Sequence, residues 1–241
     1  ILQLKNISVF YNKRQILNNL NLSIKKQEIL GMLGPNGVGK STLINLITGL
    51  KDPNYGEILI NNIKCNKLPI NERFSKFKLG LVPQYGGLIN DLTTLDNLKL
   101  VAEIHIMEKH LRLEKINSLI SQFEFEPLLE IKAKHLSGGQ RKKLVIAMSL
   151  INDPKILLMD EPFAALDILT IKMLQEIILN LQTTKDISIV ICDHQARDLL
   201  NCVDRAIILS NGHIIASGSP NEVISDKDAK NQYFGDEFNI N

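Results

Sequence analysis

The sequence predicts an α/β fold built around a mainly parallel sheet. Short apolar runs alternate along the chain with longer stretches of helical periodicity, and several of the short runs are apolar at nearly every position. Such runs are typical of parallel strands, which are covered on both faces. Between about residues 88 and 150 the strand patterns fade and helical patterns dominate. We therefore expect a helical insert between two parts of an α/β core.

The individual elements follow in chain order. A strand is expected around Leu17–Ile24, and the apolar run Glu28–Leu33 leads into a glycine-rich turn. A helix is expected over Lys40–Thr48, with Gly49 as its C-terminal stop. The remaining elements are buried strands at Lys78–Val82, Lys155–Met159 and Ile187–Cys192, a hairpin over 205–216 that turns at Asn211-Gly212, and a capped helix start at Ser219–Glu222.

Composition excludes several classes of protein. The chain has 241 residues, of which 44% are hydrophobic and 22% charged, as in an ordinary globular domain. Lys and Arg number 28 against 26 Asp and Glu, and this near balance argues against nucleic acid as a partner. No run approaches 18 consecutive apolar residues, so no membrane span is expected. The three cysteines lack metal-site spacing and are interpreted as reduced thiols of a cytosolic protein.

A glycine-rich segment carries the strongest chemical signal in the chain. It follows an apolar strand, opens the first predicted helix and matches Gly-x4-Gly-Lys-Ser/Thr, with the sequence Gly34-Pro35-Asn36-Gly37-Val38-Gly39-Lys40-Ser41-Thr42. Glycines let consecutive N–H groups turn toward phosphate oxygens, and the helix N-terminus adds positive potential. We expect Lys40 to pair with the β- and γ-phosphates of a nucleotide, and Ser41 to give its hydroxyl to Mg²⁺. A plain glycine-rich turn with a solvated lysine is the weaker alternative.

Two adjacent carboxylates, Asp160 and Glu161, end the apolar run Ile156–Met159. Ligands of parallel sheets lie at the C-terminal ends of the strands, so Asp160 is expected to face Mg²⁺. Glu161 is then placed to orient or activate an attacking water. Alone, the pair would also fit a strand-ending turn before Pro162, but the phosphate-binding motif favours the catalytic interpretation.

A second glycine-rich segment separates this chain from P-loop proteins in general. Its sequence is Leu136-Ser137-Gly138-Gly139-Gln140, ahead of a helical run from Arg141 to Ile151, and it predicts a second anion-binding nest. With all three motifs in this order, the chain resembles the nucleotide-binding subunits of ATP-binding-cassette (ABC) transporters. In that family, this signature segment of one protomer covers the γ-phosphate held by the other. The resemblance therefore implies a homodimer in which Ser137 to Gln140 contribute to the nucleotide site of the partner.

The resemblance also assigns roles to single residues. Tyr11 matches the aromatic residue that stacks on adenine, and Gln84 matches the glutamine that contacts Mg²⁺ and water. His194 matches the switch histidine that touches the γ-phosphate. Asp167 matches the loop that crosses the dimer interface, although this residue type also fits a helix N-cap. The implied catalytic residues are Glu161, His194, Lys40 and Gln84, and the implied metal contacts are Ser41, Gln84 and Asp160.

For the fold, the resemblance implies a P-loop NTPase (RecA-like) core with an antiparallel β subdomain and a helical insert, the ABC ATPase fold. Residues 1–241 would form one such domain, with its core at about 1–87 and 152–241 and a helical subdomain at about 88–151. The implied activity is hydrolysis of ATP to ADP and phosphate, coupled to transport, with ATP and Mg²⁺ as cofactors.

Membrane subunits are the other implied partners, docked near Tyr85–Leu100. Five apolar residues there could receive a membrane-subunit helix or could form the core of the helical insert, namely Leu88, Ile89, Leu92, Leu95 and Leu98. The sequence leaves both interpretations open. With such partners the chain would be cytoplasmic and peripheral on the inner face of the inner membrane.

Two segments indicate a subfamily. Cys192–Leu200 and Gln232–Phe238 are similar to segments of the ATPases of lipopolysaccharide export transporters, which end in a comparable Tyr-x-Gly-acidic-acidic-Phe run. Lipopolysaccharide export permeases would then be the membrane partners. Branched-chain amino acid importers share much of this architecture, so an importer ATPase is the alternative. Ile168 departs from the family pattern, since many relatives carry proline there, and this leaves the geometry of that loop open.

Other classes of ATPase fit less well. A cassette ATPase of DNA repair or translation usually carries a coiled-coil insertion or a second cassette, and a P-loop kinase or GTPase lacks the segment Leu136–Gln140. Basic residues flank that segment, but the near-neutral total charge favours a solvated face or local help with nucleotide charge over nucleic-acid binding.

Overall fold

The computed structural model describes residues 1–235 and Phe238, which form two sheets flanked by helices. The strands are β1 (Leu2–Tyr11), β2 (Arg14–Ile24), β3 (Ile29–Leu33), β4 (Tyr55–Ile60), β5 (Ile63–Lys64), β6 (Leu79–Val82), β7 (Ile156–Asp160), β8 (Ser188–Cys192), β9 (Arg205–Ser210) and β10 (His213–Gly218). The helices are α1 (Lys40–Thr48), α2 (Ile70–Phe77), α3 (Thr94–His105), α4 (Lys109–Phe123), α5 (Gly138–Ser149), α6 (Ile168–Lys185), α7 (Ala196–Leu200), α8 (Pro220–Ser225) and α9 (Lys227–Ala229), followed by a π-helical turn at Lys230–Phe234.

The larger sheet has six strands in the order β10-β9-β3-β8-β7-β6. The strands from β9 to β6 pair in parallel, and β10 returns antiparallel to β9. The predicted α/β class and its buried parallel strands are therefore confirmed. The hairpin turn is also confirmed, because Asn211 and Gly212 both have the positive φ that a tight primed turn requires.

The smaller sheet is antiparallel, in the order β2-β1-β4-β5. It confirms the antiparallel part of the fold that the family resemblance implied. The residue pattern had indicated β2, but β4, β5 and α2 had not been predicted.

Two apolar clusters lie on opposite faces of the larger sheet. Along β3, Ile29 and Leu33 belong to one cluster, while Leu30 and Met32 belong to the other. This alternation is the expected consequence of the two-residue period of a strand. The first cluster extends into α3, α4 and α5, and the second packs the antiparallel sheet and α1. Apolar packing on both faces thus holds the parallel strands in place. It thereby also fixes the position of the sheet edge at which these strands end.

Helices α3, α4 and α5 all lie between residues 88 and 151. Helix α5 begins at Gly138 rather than at Arg141, because Ser137 caps it. The division of the chain into a core and a helical subdomain stays a prediction. Among the described residues, no helix combines the length and the apolar character needed to cross a lipid bilayer.

A partly buried ion pair joins β9 to the turn before β3. Arg205 Nε donates to Glu28 Oε1 at 2.6 Å, and Arg205 also donates to the carbonyl oxygen of Ser23 at 2.6 Å. Burial raises the pKa of Glu28, but the hydrogen bonds from Arg205 and from the Lys25 N–H outweigh it and lower the pKa overall. The pair therefore stabilises the fold at neutral pH and loses this effect as the pH falls through the pKa of the folded state.

We expect Glu28→Gln to lower the free energy of unfolding by about 2 kcal/mol at pH 7, since a charged hydrogen-bond acceptor is lost. Urea unfolding should show this difference shrinking below about pH 4.5, where the carboxyl group of the unfolded chain becomes protonated. Glu57→Gln is the matched control, because Glu57 pairs with Lys64 on the exposed surface and should cost little at either pH. A deficit in Glu28→Gln that stays constant with pH would contradict the ionic origin of the effect.

Candidate functional site

The phosphate loop, Gly34 to Thr42, leaves the sheet at the C-terminal end of β3 and enters α1. Its backbone has positive φ at Gly34 and Gly39. A Cβ on Gly34 would lie 2.5 Å from the carbonyl oxygen of Leu209, and one on Gly39 would lie 2.8 Å from the Leu17 side chain. Both positions thus require glycine for conformation and for space. The loop presents the free N–H groups of the start of α1, where an anion is favoured.

Lys40 lies across this loop and is buried. Its Nζ donates to the carbonyl oxygens of Gly34 at 2.6 Å and Pro35 at 3.2 Å. Burial lowers the pKa of Lys40, and the nearby carboxylates Glu161 and Asp193 partly offset this. Phosphate oxygens at the loop would supply an anionic partner for this ammonium group, whose hydrogen bonds among the described residues go to carbonyl oxygens.

The other residues of the phosphate loop differ in burial. Thr42 is buried in α1. A cleft of about 350 Å³ borders the loop, and its lining includes Arg14, Ile16, Pro35, Asn36, Gly37 and Val38. The loop is therefore open on one side to a molecule larger than a phosphate ion.

Ser41 and Asp160 come together although they are far apart in sequence. The Ser41 hydroxyl donates to Asp160 Oδ1 at 3.2 Å. Burial raises the pKa of Asp160, and the hydrogen bond from Ser41 lowers it in part. A hydroxyl and a carboxylate oxygen at the mouth of a phosphate site are donors that Mg²⁺ prefers. The chemistry of these two residues would fit a magnesium ion, and their role as metal contacts stays a prediction.

Three neighbouring strands bring the predicted catalytic residues to one point. Gln84 follows β6, Glu161 follows β7 and His194 follows β8. Gln84 Nε2 donates to Glu161 Oε2 at 2.7 Å, and His194 Nδ1 lies 3.5 Å from the same oxygen. Glu161 has a φ of 47°, and its N–H donates to the carbonyl oxygen of Cys192 at 2.7 Å. This hydrogen bond joins the C-terminal ends of β7 and β8 and holds Glu161 at that edge of the sheet.

Asp193 was not among the predicted site residues, but the structure places it at the centre of this edge. Its Oδ1 accepts from the N–H groups of His194 at 2.7 Å and Gln195 at 2.9 Å, and its Oδ2 accepts from the Phe163 N–H at 3.1 Å. The side chain is fully buried, and burial raises its pKa. Asp193 thereby holds the loop after Glu161 against the loop that carries His194. The available signal was a carboxylate that directly follows a buried strand and precedes a histidine.

The signature segment forms the N-terminus of α5. Gln140 N–H donates to Ser137 Oγ at 3.2 Å, and Ser137 N–H donates to Gln140 Oε1 at 2.9 Å, which is a reciprocal capping box. Gly138 and Gly139 are the first residues of the helix, so the segment presents free N–H groups at a helix start, where the sequence predicted an anion-binding nest. Ser137 and Gly138 are exposed, and no hydrogen bond among the described residues joins this segment to the phosphate loop. The segment faces outward.

Two further predicted residues lie outside the cluster formed by Gln84, Glu161 and His194. Tyr11 is the last residue of β1, is 45% exposed and carries Lys51 Nζ 4.0 Å above its ring. Asp167 is the N-cap of α6, since its Oδ1 accepts from the Thr170 N–H at 3.0 Å. Ile168 is the first residue of that helix, a position where proline is also readily accommodated. The loop geometry that Ile168 left open is therefore compatible with either residue.

Known proteins with similar sequences match this chain over nearly its full length. The ABC transporter family matches residues 17–164. The lipopolysaccharide export ATP-binding protein LptB of Haemophilus influenzae is 34% identical over 241 residues, covering 100% of this chain and 99% of that protein. LptB of Escherichia coli K12 is 33% identical, covering 98% of each. An uncharacterised ABC transporter ATP-binding protein of Rhizobium meliloti is 35% identical, covering 95% of this chain and 84% of that protein.

Solved structures of ATP-binding cassettes have the same fold as this chain. The ATP-binding cassette MJ1267 has a TM-score of 0.88 at 29% identity, with 98% of this chain and 99% of that chain covered. The cassette MJ0796, solved as a dimer in a post-hydrolysis state with ADP and phosphate, has a TM-score of 0.81 at 31% identity, with 91% and 99% covered. Since the family match spans more than half of the chain, the protein belongs to the ABC transporter family, as an ATP-binding subunit that hydrolyses ATP.

Proposed function

We propose that this chain is the ATPase subunit of a lipopolysaccharide export transporter, at the cytoplasmic face of the inner membrane. The observation that carries this proposal is the similarity to LptB proteins, which extends over 98% or more of both chains. The C-terminal segment supports it. Tyr233 Oη donates to the carbonyl oxygen of His194 at 3.2 Å, and Phe234 stacks on Phe238. Asp236 and Glu237 of the predicted tail motif lie outside the described residues.

In this proposal, hydrolysis takes place at the edge built by Lys40, Gln84 and Glu161. Lys40 exchanges its loop carbonyls for the β- and γ-phosphate oxygens of ATP. Ser41, Asp160 and Gln84 would hold Mg²⁺, which would neutralise phosphate charge when bound. Glu161 can only accept hydrogen bonds when ionised, so it orients the Gln84 amide nitrogen toward itself and leaves the amide oxygen for the metal.

Water then attacks the γ-phosphorus, and Glu161 takes its proton. His194 lies beside that carboxylate, where it can contact the γ-phosphate as the bond to ADP breaks. Tyr11 provides an exposed aromatic face for adenine. The outward-facing signature segment completes the site of a second protomer, which makes a homodimer the working unit.

The structure separates the apolar residues for which the sequence left both a docking role and a core role open. Leu98 is fully buried, and Leu88 and Leu95 pack against the first core cluster, so these three belong to the core of the helical insert. Ile89, at 48% exposure, remains available. Nearby, a cleft of about 200 Å³ opens between the core and the insert, and its apolar lining includes Phe74, Leu81, Pro83, Val101, Val145 and Met148. We infer that a helix of the membrane subunit enters this cleft beside Gln84.

Depletion of the chain in the organism that encodes it tests the proposed cargo. We expect newly made lipopolysaccharide to stop reaching the outer surface, measured by surface labelling, while uptake of radiolabelled branched-chain amino acids stays normal. The membrane proteins that copurify with the tagged chain should be lipopolysaccharide export permeases. Loss of amino acid uptake with intact lipopolysaccharide delivery would instead support the importer alternative.

The docking proposal predicts a separate result for Ile89→Asp. A carboxylate at this contact would be buried without a partner, which costs several kcal/mol of association. Copurified membrane subunits should therefore fall at least about tenfold, while ATP binding by the isolated chain survives. Leu179→Asp is the matched control, because Leu179 is 41% exposed on α6, outside both the segment Tyr85–Leu100 and the lining of the cleft. Normal copurification with Ile89→Asp would remove the docking claim without affecting the cargo assignment.

A further inference from the structure

A fully buried arginine lies at the C-terminal end of α1, the end opposite to the phosphate loop. Arg73, on α2, is 0% exposed. Its guanidinium group donates to four backbone carbonyl oxygens, those of Leu46 at 2.6 Å, Ile47 at 3.3 Å, Asn66 at 2.8 Å and Leu68 at 2.8 Å. Charged side chains are rarely buried to this degree, so the position calls for an explanation.

Two of these carbonyls, those of Leu46 and Ile47, belong to the last turn of α1 and accept no backbone hydrogen bond among the described residues. The Asn45 carbonyl accepts from the N–H groups of Gly49 and Lys51 at 3.1 Å each. Leu46 and Ile47 are the next residues along, and a helix leaves its last carbonyls unsatisfied. The final turn of α1 contains no basic residue. Arg73 therefore supplies, from another helix, both the hydrogen bonds and the positive charge that this helix end favours.

The fit between Arg73 and α1 is close. A Cβ on Gly49, the residue that ends α1, would lie 2.8 Å from Arg73 Nε, so the guanidinium group rests directly on the glycine. The nearest carboxylate, Asp52, lies 3.6 Å away with a largely exposed side chain. The buried charge is thus balanced mainly by aligned carbonyl dipoles. Lysine, with one nitrogen atom, cannot reproduce a planar fork that reaches carbonyls on both sides.

The other two bonds anchor the arginine itself. They reach Asn66 and Leu68, in the segment that leads from β5 into α2. The side chain of Asn66 is in turn bonded to the Ile58 N–H at 2.8 Å and to the Gly56 carbonyl at 3.0 Å, both in β4. Arg73 therefore ties the end of α1 to a rigid part of the antiparallel sheet.

We propose that Arg73 is a positioning residue for ATP binding. It fixes the C-terminal end of α1, and the nine-residue helix carries that position to Lys40 and Ser41 at its other end. Because a helix of this length is stiff, a shift or tilt at Gly49 moves the ammonium and hydroxyl groups relative to the phosphates. The loss of the guanidinium fork should consequently weaken nucleotide binding even in chains that are fully folded.

Titration with ATP tests this, at a temperature where melting curves show each variant to be folded. We expect Arg73→Lys to raise the Kd for ATP about threefold and Arg73→Met about tenfold, in the order of hydrogen bonds lost. The KM for ATP should rise by more than kcat falls, because Glu161, Gln84 and His194 lie on other elements. Amide hydrogen exchange in α1 should speed up in the same order.

Leu119→Ala is the control for a purely structural effect. Leu119 is buried in α4 and does not touch α1, so its truncation should lower Tm without changing the Kd for ATP. Variants at Arg73 that lower Tm but bind ATP within about twofold of the unchanged chain would overturn the proposal. If Arg73→Met does not fold, Arg73→Lys and Arg73→Gln decide the matter, since the proposal requires the Kd to rise from Arg to Lys to Gln.

Discussion

The Glu161→Gln variant should bind ATP as the unchanged chain does and lose at least about 100-fold in hydrolysis. Glutamine keeps the size of the side chain and can still accept the hydrogen bond from Gln84 Nε2 through its amide oxygen. It cannot take a proton from water. The phosphate loop, Lys40 and Ser41 are unchanged, so ATP remains bound and should hold two protomers together.

ATP binding, phosphate release and the mass of the particle by light scattering are the three measurements. Glu176→Gln is the matched control, because Glu176 is an exposed glutamate on α6, outside the bonded cluster of the site. That variant should hydrolyse ATP normally and dimerise only transiently. If Glu161→Gln stays monomeric with Mg-ATP and releases phosphate at the normal rate, Glu161 is not the base.

The second large effect is a recovery of activity on mixing two inactive chains. Lys40→Ala removes the ammonium group of the phosphate loop, and Ser137→Arg blocks the signature segment. In a mixed dimer of the proposed kind, the intact phosphate loop of one chain would face the intact signature segment of the other. Half of the dimers are mixed and each has one of its two sites intact, so about a quarter of normal activity should return if the sites act independently.

Each mutant alone should be inactive, and two different affinity tags should establish that mixed dimers form. The expectation rests on the exposed, self-capped signature segment, which has no hydrogen bond to its own phosphate loop among the described residues. A mixture no more active than its parts, with mixed dimers present, would mean that Ser137 does not act on the site of a second protomer.

Much of the site could be predicted because its residues follow strands directly. The C-terminal edge of a parallel sheet collects whatever comes after each strand, which placed Glu161 at this edge, whereas Gln84 and His194 were assigned through the family resemblance. The phosphate loop is a local motif whose glycines are required by its own geometry. In both cases the chemistry is encoded within a few residues of a recognisable element.

The features that were missed depend on contacts between distant segments. Asp193 lies in the segment Cys192–Leu200 but was assigned no role, because its importance comes from three N–H groups on two loops. Arg73 lies in a polar-looking stretch, and only the packing of α2 on α1 shows that it is buried. The cleft proposed for docking is built from α2, β6, α3 and α5, so a pattern confined to Leu88–Leu98 could not locate it.

The two-sided burial of the central strands has a consequence for how the sheet is aligned as it folds. Ile189 and Ile191 point into one apolar cluster, and Val190 and Cys192 point into the other. A slip of β8 by one residue would exchange these faces without exposing any apolar side chain, so hydrophobicity alone does not fix the register. The slip would instead draw Asp193 into an apolar ladder, away from its three N–H donors. The polar residues at this edge thus help to set the register of the strands. Substitutions there are therefore constrained by folding as well as by hydrolysis.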